Sequence, residues 1–253
     1  MSTRIRVLAV ANQKGGVAKT TTVASLGAAL AELGQRVLLV DLDPQACLTF
    51  SLGIDPEDLE LSVHHVLSKG LDPHEVILRT DDGVDLLPAT IELARAEADL
   101  LTRTGREYVI RSAIEDLDYD WVLLDCPPSL GVLTVAALTA ATGVLIPLQC
   151  ETLSHRGVGQ LLDTVHDVKR FTNRELEVWG VLPTLYDGRT KHSRAVLETI
   201  SETYSLEVIA PPIPKSIRFA EAPAAGQSIL RTSRSNKGAR AYREVAADLT
   251  KRH

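Results

Sequence analysis

The chain has 253 residues, 45% of them hydrophobic and 24% charged, with 12 prolines and a formal net charge of −6. Such a length supports a large core, and the composition excludes disordered and fibrous classes. No apolar stretch approaches membrane-spanning length, Met1 to Arg6 lack a signal-type apolar region, and Cys47, Cys126 and Cys150 form no C-x-x-C pair that would mark a disulfide framework or zinc site.

These bounds predict one domain over residues 1–253 and a cytoplasmic location. Charge is uneven: residues 186–253 carry 12 Lys/Arg against 7 Asp/Glu, whereas residues 1–185 carry 15 against 26. A basic last quarter on an acidic protein points to a local anion-binding face; solvated surface charge is the plainer reading.

In chain order, the apolar run Ile5 to Ala11 reads as a strand, followed by the loop Asn12 to Thr22 and a helix from Thr20 to Leu33 that Gly34 ends. Arg36 to Asp41 is a continuous apolar run, the pattern of a strand buried on both faces of a parallel sheet. Between Ala46 and Leu71 the pattern is mixed, with a turn at Asp55-Pro56-Glu57 and helical spacing from Leu61 to Leu67. Neighbours on a helix point apart, so His64 and His65 read as surface residues.

Val84 to Pro88 predicts a short strand, with helices at Ile91 to Leu101 and Glu107 to Leu117. Trp121 to Asp125 is a buried strand that Cys126-Pro127-Pro128 stops. Then come a helix (Leu133 to Ala141), a strand (Gly143 to Gln149), a helix (Ser154 to Arg170), a strand (Leu176 to Leu182) and a helix (Ser193 to Tyr204). Glu207 to Ile213 reads as a strand, the chain from there to Ile229 as a loop, and Ala239 to Leu249 as a closing helix. This alternation predicts an α/β fold: a doubly wound, mostly parallel sheet with helices on both faces.

The chemistry concentrates at strand ends. A strand, a loop holding Gly15-Gly16, then Lys19-Thr20-Thr21 opening a helix is the layout of a phosphate cradle, in which backbone N–H groups and a helix N-terminus face the anion. The spelling departs from G-x-x-x-x-G-K-[ST], because Gln13 and Ala18 stand where glycines would. Asp125 at the end of its strand has the layout of a Walker B aspartate that holds Mg²⁺ through water. Asp41 and Asp43 lie two apart just past the second strand, on one side of an extended backbone.

Lys14 and Lys19 around the glycine pair resemble the deviant Walker A motif, KGGxxK[ST], of the ParA/MinD family, and thus imply a P-loop NTPase of that type. The resemblance implies ATP and Mg²⁺ as cofactors and ATP hydrolysis as the activity. It gives Lys14, Gly15, Gly16, Val17, Ala18, Lys19, Thr20 and Thr21 as ATP-binding, Thr20 as a magnesium ligand, and Lys14 as the signature lysine that reaches into a partner copy's nucleotide. Asp43 matches the residue that positions the attacking water, Asp41 a secondary ligand or loop anchor, and Asp125 to Ser129 a second switch.

Tyr186-Asp187-Gly188-Arg189 and Pro214 to Pro223, with its R-x-A-E-A-P segment, resemble the ParA/Soj chromosome-partitioning branch. In that resemblance Pro214 meets adenine and Arg189 and Arg218 bind double-stranded DNA non-specifically, with Lys215, Arg231, Arg234, Lys237 and Arg240 extending the face. An ATP-dependent homodimer, association with the nucleoid and a ParB-like stimulating partner are also implied.

Ala18 would strain a cradle needing positive φ, and Ala46-Cys47-Leu48 is a second departure from the pattern. Among rivals, a MinD-like membrane-cycling ATPase needs a terminal amphipathic helix, and Val245 to His253 offers little apolar surface after Leu249. An iron–sulfur carrier on this fold needs a cysteine pair that Cys126 and Cys150 do not supply. A ParA-like positioner of a protein cargo fits the same residues.

Overall fold

A computed structural model describes residues 5–150, 154–189 and 191–252; the expectations for Met1 to Arg4 and for His253 lie outside them. The strands β1 (Arg6–Val10), β2 (Val37–Asp41), β3 (Leu78–Arg79), β4 (Asp85–Leu87), β5 (Trp121–Asp125), β6 (Gly143–Gln149) and β7 (Glu177–Thr184) form one sheet. Their order is β3-β4-β2-β5-β1-β6-β7. Every pairing is parallel except that of β3 with β4.

The helices follow in turn: α1 (Lys19–Glu32), α2 (Cys47–Ser51), α3 (Val63–Lys69), α4 (Leu93–Leu100), α5 (Val109–Ile114), α6 (Val132–Ala140), α7 (Ser154–Phe171), α8 (Lys191–Tyr204), α9 (Arg218–Glu221), α10 (Ile229–Thr232) and α11 (Lys237–Arg252). Alternate strand residues feed two cores, as the two-residue period of a strand demands. Val7, Ala9, Leu38, Val40, Val122 and Leu124 pack with α3 to α8 on one face. On the other, Leu8, Val10, Leu39, Trp121 and Leu123 pack with α1, α2, α10 and α11. Parallel strands buried on both sides account for the unbroken apolar runs.

Four expectations need correction. Glu207 to Ile213 makes only isolated bridges, Val208 to Val181 and, beyond it, Pro214 to Tyr186; Pro211, Pro212 and Pro214 have no N–H to donate to a ladder. The stretch to Ile229 is a loop carrying short helical turns, α9 and Pro223–Ala225. His64 is buried, and its ring meets that of His65 edge-on at 5.1 Å. His65 turns back so that its Nδ1 accepts the Ser62 N–H at 3.2 Å, capping α3. Finally, the chain leaves extended form right after Asp41, so Asp41 and Asp43 meet through a turn and not along a strand.

Candidate functional site

The loop between β1 and α1 is held by polar anchors from distant strands. Asn12, which is buried, donates Nδ2 to the Pro147 carbonyl at 2.8 Å, and its Oδ1 accepts the Lys14 N–H at 3.0 Å. Thr184, the last residue of β7, donates its hydroxyl to the Val17 carbonyl at 2.9 Å. Thr22 on α1 shares a hydrogen bond of 2.9 Å with the buried Tyr242 hydroxyl of α11. These ties fix where the backbone N–H groups of the loop point, which is what a phosphate cradle requires.

Two residues of the loop have left-handed backbone. Gly16 has φ 74°, and Ala18, the residue before α1, has φ 65° and ψ 36°. The strain foreseen for Ala18 is therefore real, costing about 1–2 kcal/mol by comparison with a residue that lacks Cβ. No acidic residue lies in the first turn of α1, so its positive end is left for an external anion.

Lys19 is buried, with Nζ donating to the Lys14 carbonyl at 3.3 Å. Burial lowers its pKa, and Asp125, Cys126 and Asp43 pull it back up. The loop lysine and both aspartates predicted for the site therefore lie within one electrostatic neighbourhood. Asp125 ends β5 and stands in register with Val10 on β1 and Asp41 on β2. It is 1% exposed, and among the described residues neither carboxylate oxygen has a hydrogen bond of good geometry, the neighbouring Thr20 hydroxyl giving what support its charge receives from a side-chain donor.

Burial, and then the Asp41 charge, push the Asp125 pKa well up; Thr20 and Lys19 work against that. A buried carboxylate so poorly supplied with donors is costly unless something outside the protein compensates it. A hard oxygen-seeking cation beside the Thr20 hydroxyl would do so, and the donor chemistry fits Mg²⁺. Among the described residues no group of three or more His, Cys, Asp or Glu forms an all-protein metal site. Such a cation would take its remaining oxygens from phosphate and water.

Asp41 anchors the turn that follows β2. Its Oδ1 accepts the Asp43 N–H at 3.1 Å, and its Oδ2 accepts both the N–H and the hydroxyl of Thr49, at 2.9 and 2.7 Å. Burial pushes Asp41 up to about 6 in spite of these bonds. The roles of Asn12, Thr49 and Thr184 do not show in the sequence; a small polar residue just past, or at the end of, an apolar strand is the signal available for Asn12 and Thr184, and Thr49, on α2, carries none.

The predicted DNA-contacting residues all lie past β7 in the chain. Tyr186, two residues past the β7 residue that holds Val17, bridges to Pro214, so Pro214 sits at the loop end of the sheet. Arg189 is exposed and grips Asp187 with Nε and Nη2, both at 2.9 Å, holding the Asp187 carboxyl down at about 2. The Lys215 charge also acts on Asp187. Ser216, between Lys215 and Arg218, accepts from Asn236 at 3.3 Å, which brings the exposed Arg234 and Lys237 to the same side. Arg218 is exposed and bonded to Glu221 at 2.7 Å. Arg189 and Lys215 thus both act on Asp187, and the Ser216–Asn236 bond ties the segment of Lys215 and Arg218 to that of Arg234 and Lys237.

The fold and loop define a P-loop nucleotide-binding protein of the α/β class. Residues 5–178 match the family described as AAA domain. The chain is 42% identical over 247 residues to the sporulation initiation inhibitor protein Soj of Bacillus subtilis, spanning 96% of this chain and 98% of that one. It is 43% identical over 249 residues to the chromosome-partitioning ATPase Soj of Thermus thermophilus, spanning 98% and 97%. A solved structure from Mycobacterium smegmatis, named cobyrinic acid a,c-diamide synthase and holding ADP and magnesium, is 58% identical with a TM-score of 0.88, covering 98% of this chain and 94% of its own.

The chain belongs to the ParA/Soj family of partitioning ATPases and is an ATP hydrolase. Among the described residues, no helix is long and apolar enough to cross a membrane.

Proposed function

We propose that the chain acts as one ATPase domain, residues 1–253, in which ATP and Mg²⁺ close a homodimer that grips DNA without regard to sequence. The observation that carries this reading is the buried Asp125 carboxylate, with Thr20 and Lys19 acting on its charge, beside a loop tied to two other strands. Lys19 and the backbone of Gly15 to Thr21 would hold the β- and γ-phosphates, and Pro214 the adenine. Thr20, and Asp125 through water, would hold Mg²⁺, which when bound neutralises phosphate charge. Asp43 orients the attacking water, and Lys14 supplies positive charge to the partner copy's nucleotide.

Arg189, Lys215, Arg218, Arg234 and Lys237 would contact DNA phosphates, an interaction that is sequence-independent and weakened by salt. The ion pairs of Arg189 and Arg218 are exposed and therefore cheap to exchange for phosphate. The protein would then work in the cytoplasm on the nucleoid, hydrolysing slowly until a ParB-like partner stimulates it. Size-exclusion chromatography with Mg-ATP tests this: Asp43→Ala should persist as an ATP-bound dimer while wild type returns to monomer. An Asp43→Ala protein that hydrolyses ATP at the normal rate contradicts the role given to Asp43.

The name of the Mycobacterium smegmatis relative favours a second reading, ATP-driven amide formation. Drawing ammonia from glutamine calls for an activated nucleophile such as a thiolate. Burial raises the pKa of Cys126 and takes that of Cys150 up to about 11, and burial with the Asp43 and Asp41 charges raises Cys47, so all three stay protonated thiols near neutral pH. That chemistry supports partitioning over amide transfer. An assay of cobyrinate amidation with glutamine separates the two, and product formation would overturn our choice.

A further inference from the structure

The hydrogen bonds beneath the Asp43 turn carry an inference about how that turn is held. Asp43 lies on the segment Asp41 to Ala46, which leaves β2 and closes on the Asp43 carbonyl through the Ala46 N–H at 2.8 Å. Ala46 has φ 51°, a left-handed conformation that persists in a non-glycine residue only where the surroundings over-determine it. The surroundings here converge on one side chain. Thr49 is fully buried on α2, and its hydroxyl donates to Asp41 Oδ2 at 2.7 Å while accepting the Ala89 N–H at 2.9 Å. Asp41 Oδ1, the other end of the same carboxylate, accepts the Asp43 N–H at 3.1 Å.

We propose that Thr49 is a positioning residue for ATP hydrolysis: its hydroxyl links the chain just past β4, through Asp41, to the backbone of Asp43, and so fixes where the Asp43 carboxylate stands. The geometry favours this over simple packing because each polar atom in the series is used. Ala89 N–H, Thr49 Oγ1, Asp41 Oδ2, Asp41 Oδ1 and Asp43 N–H form an unbroken run across three segments of chain. The Asp43 carboxylate is not hydrogen-bonded to Asp41, and among the described residues its Oδ1 accepts the local Gln45 N–H at 3.0 Å. Thr49 touches no atom that would react, so its effect is on orientation, to which a reacting geometry is steeply sensitive. The inference rests on the role given to Asp43 above.

The test compares Thr49→Val, Thr49→Ala and Thr49→Ser with wild type and with Asp43→Ala, in steady-state phosphate release and ATP-dependent dimerisation. Removing the hydroxyl in Thr49→Val should lower kcat by about 10- to 100-fold, leave KM for ATP within about twofold, and leave the ATP-bound dimer intact. Thr49→Ser, which keeps the hydroxyl, should recover activity to within about threefold of wild type. Thr49→Ala serves if the valine variant does not fold, since it adds no bulk and keeps the Thr49 N–H bond to Asp41. Normal kcat in a folded Val or Ala variant overturns the proposal, as does an equal loss in Thr49→Ser, which would assign the effect to packing. Normal hydrolysis in Asp43→Ala would overturn the Asp43 role itself, a distinct failure.

Discussion

Ala18→Gly is the sharpest probe of the loop, because the expected sign follows from one backbone angle. Ala18 stands at φ 65° and ψ 36°, where an L-residue with a Cβ pays about 1–2 kcal/mol. Glycine removes that cost but loses about 0.5–1 kcal/mol to the greater freedom of its unfolded chain. The balance is a gain of about 0–1.5 kcal/mol, or up to about 6 °C in Tm for a domain of this size. Ala18→Val should move the other way, since a β-branched residue fits the left-handed region worse than alanine. Thermal unfolding of the nucleotide-free proteins measures both. A lower midpoint for Ala18→Gly, or no loss for Ala18→Val, would mean that Ala18 is not strained.

Arg218→Glu should dimerise with ATP yet bind DNA more weakly, with the slope of log K against log salt falling by about 1 for each phosphate no longer neutralised; salt-titrated binding measures this, and an unchanged slope refutes the basic face. Asp125→Asn should abolish Mg²⁺-dependent hydrolysis while raising the nucleotide-free Tm. A carboxylate whose folded pKa is raised stabilises the fold below its unfolded value and ceases to as pH climbs through the folded one, so the gain should be larger at pH 8 than at pH 5. An equal gain in Tm over wild type at both pH values would contradict the buried-charge argument. Gly226 has φ 64°, and a Cβ there would meet Gly53 Cα at 2.7 Å, so Gly226→Ala should cost about 2 kcal/mol or more by chemical denaturation. Full tolerance would mean that the two loops do not touch.

The buried strands are legible because a parallel sheet covered on both faces leaves unbroken apolar runs, as at Val37–Asp41 and Trp121–Asp125. β3 is not, since two residues, Leu78 and Arg79, carry no period at all. Glu207 to Ile213 misleads as a strand because its apolar residues outweigh the prolines that deny it ladder bonds. Lys14, Lys19, Asp43 and Asp125 can be read from motif order, since each stands at or just beyond a recognisable strand end.

Their supports cannot be read in the same way. Thr184 reaches Val17 across 167 positions and Asn12 reaches Pro147 across 135, and only the fold brings such pairs together. Ala18 shows the same limit locally. Its identity signals a possible strain, but the angle that decides the matter is set by the anchors on either side of the loop.

ATP affinity and phosphate release in Lys19→Ala, set beside wild type, test the central claim most directly. Lys19 is the buried cation of the loop, and the charges of Asp125 and Asp43 act on it. We expect slow, Mg²⁺-dependent hydrolysis in wild type, and in Lys19→Ala no hydrolysis and an ATP affinity lower by about 100-fold or more, as befits removing a charge-assisted bond to phosphate. Unchanged ATP affinity in that variant would place the nucleotide elsewhere and contradict the account.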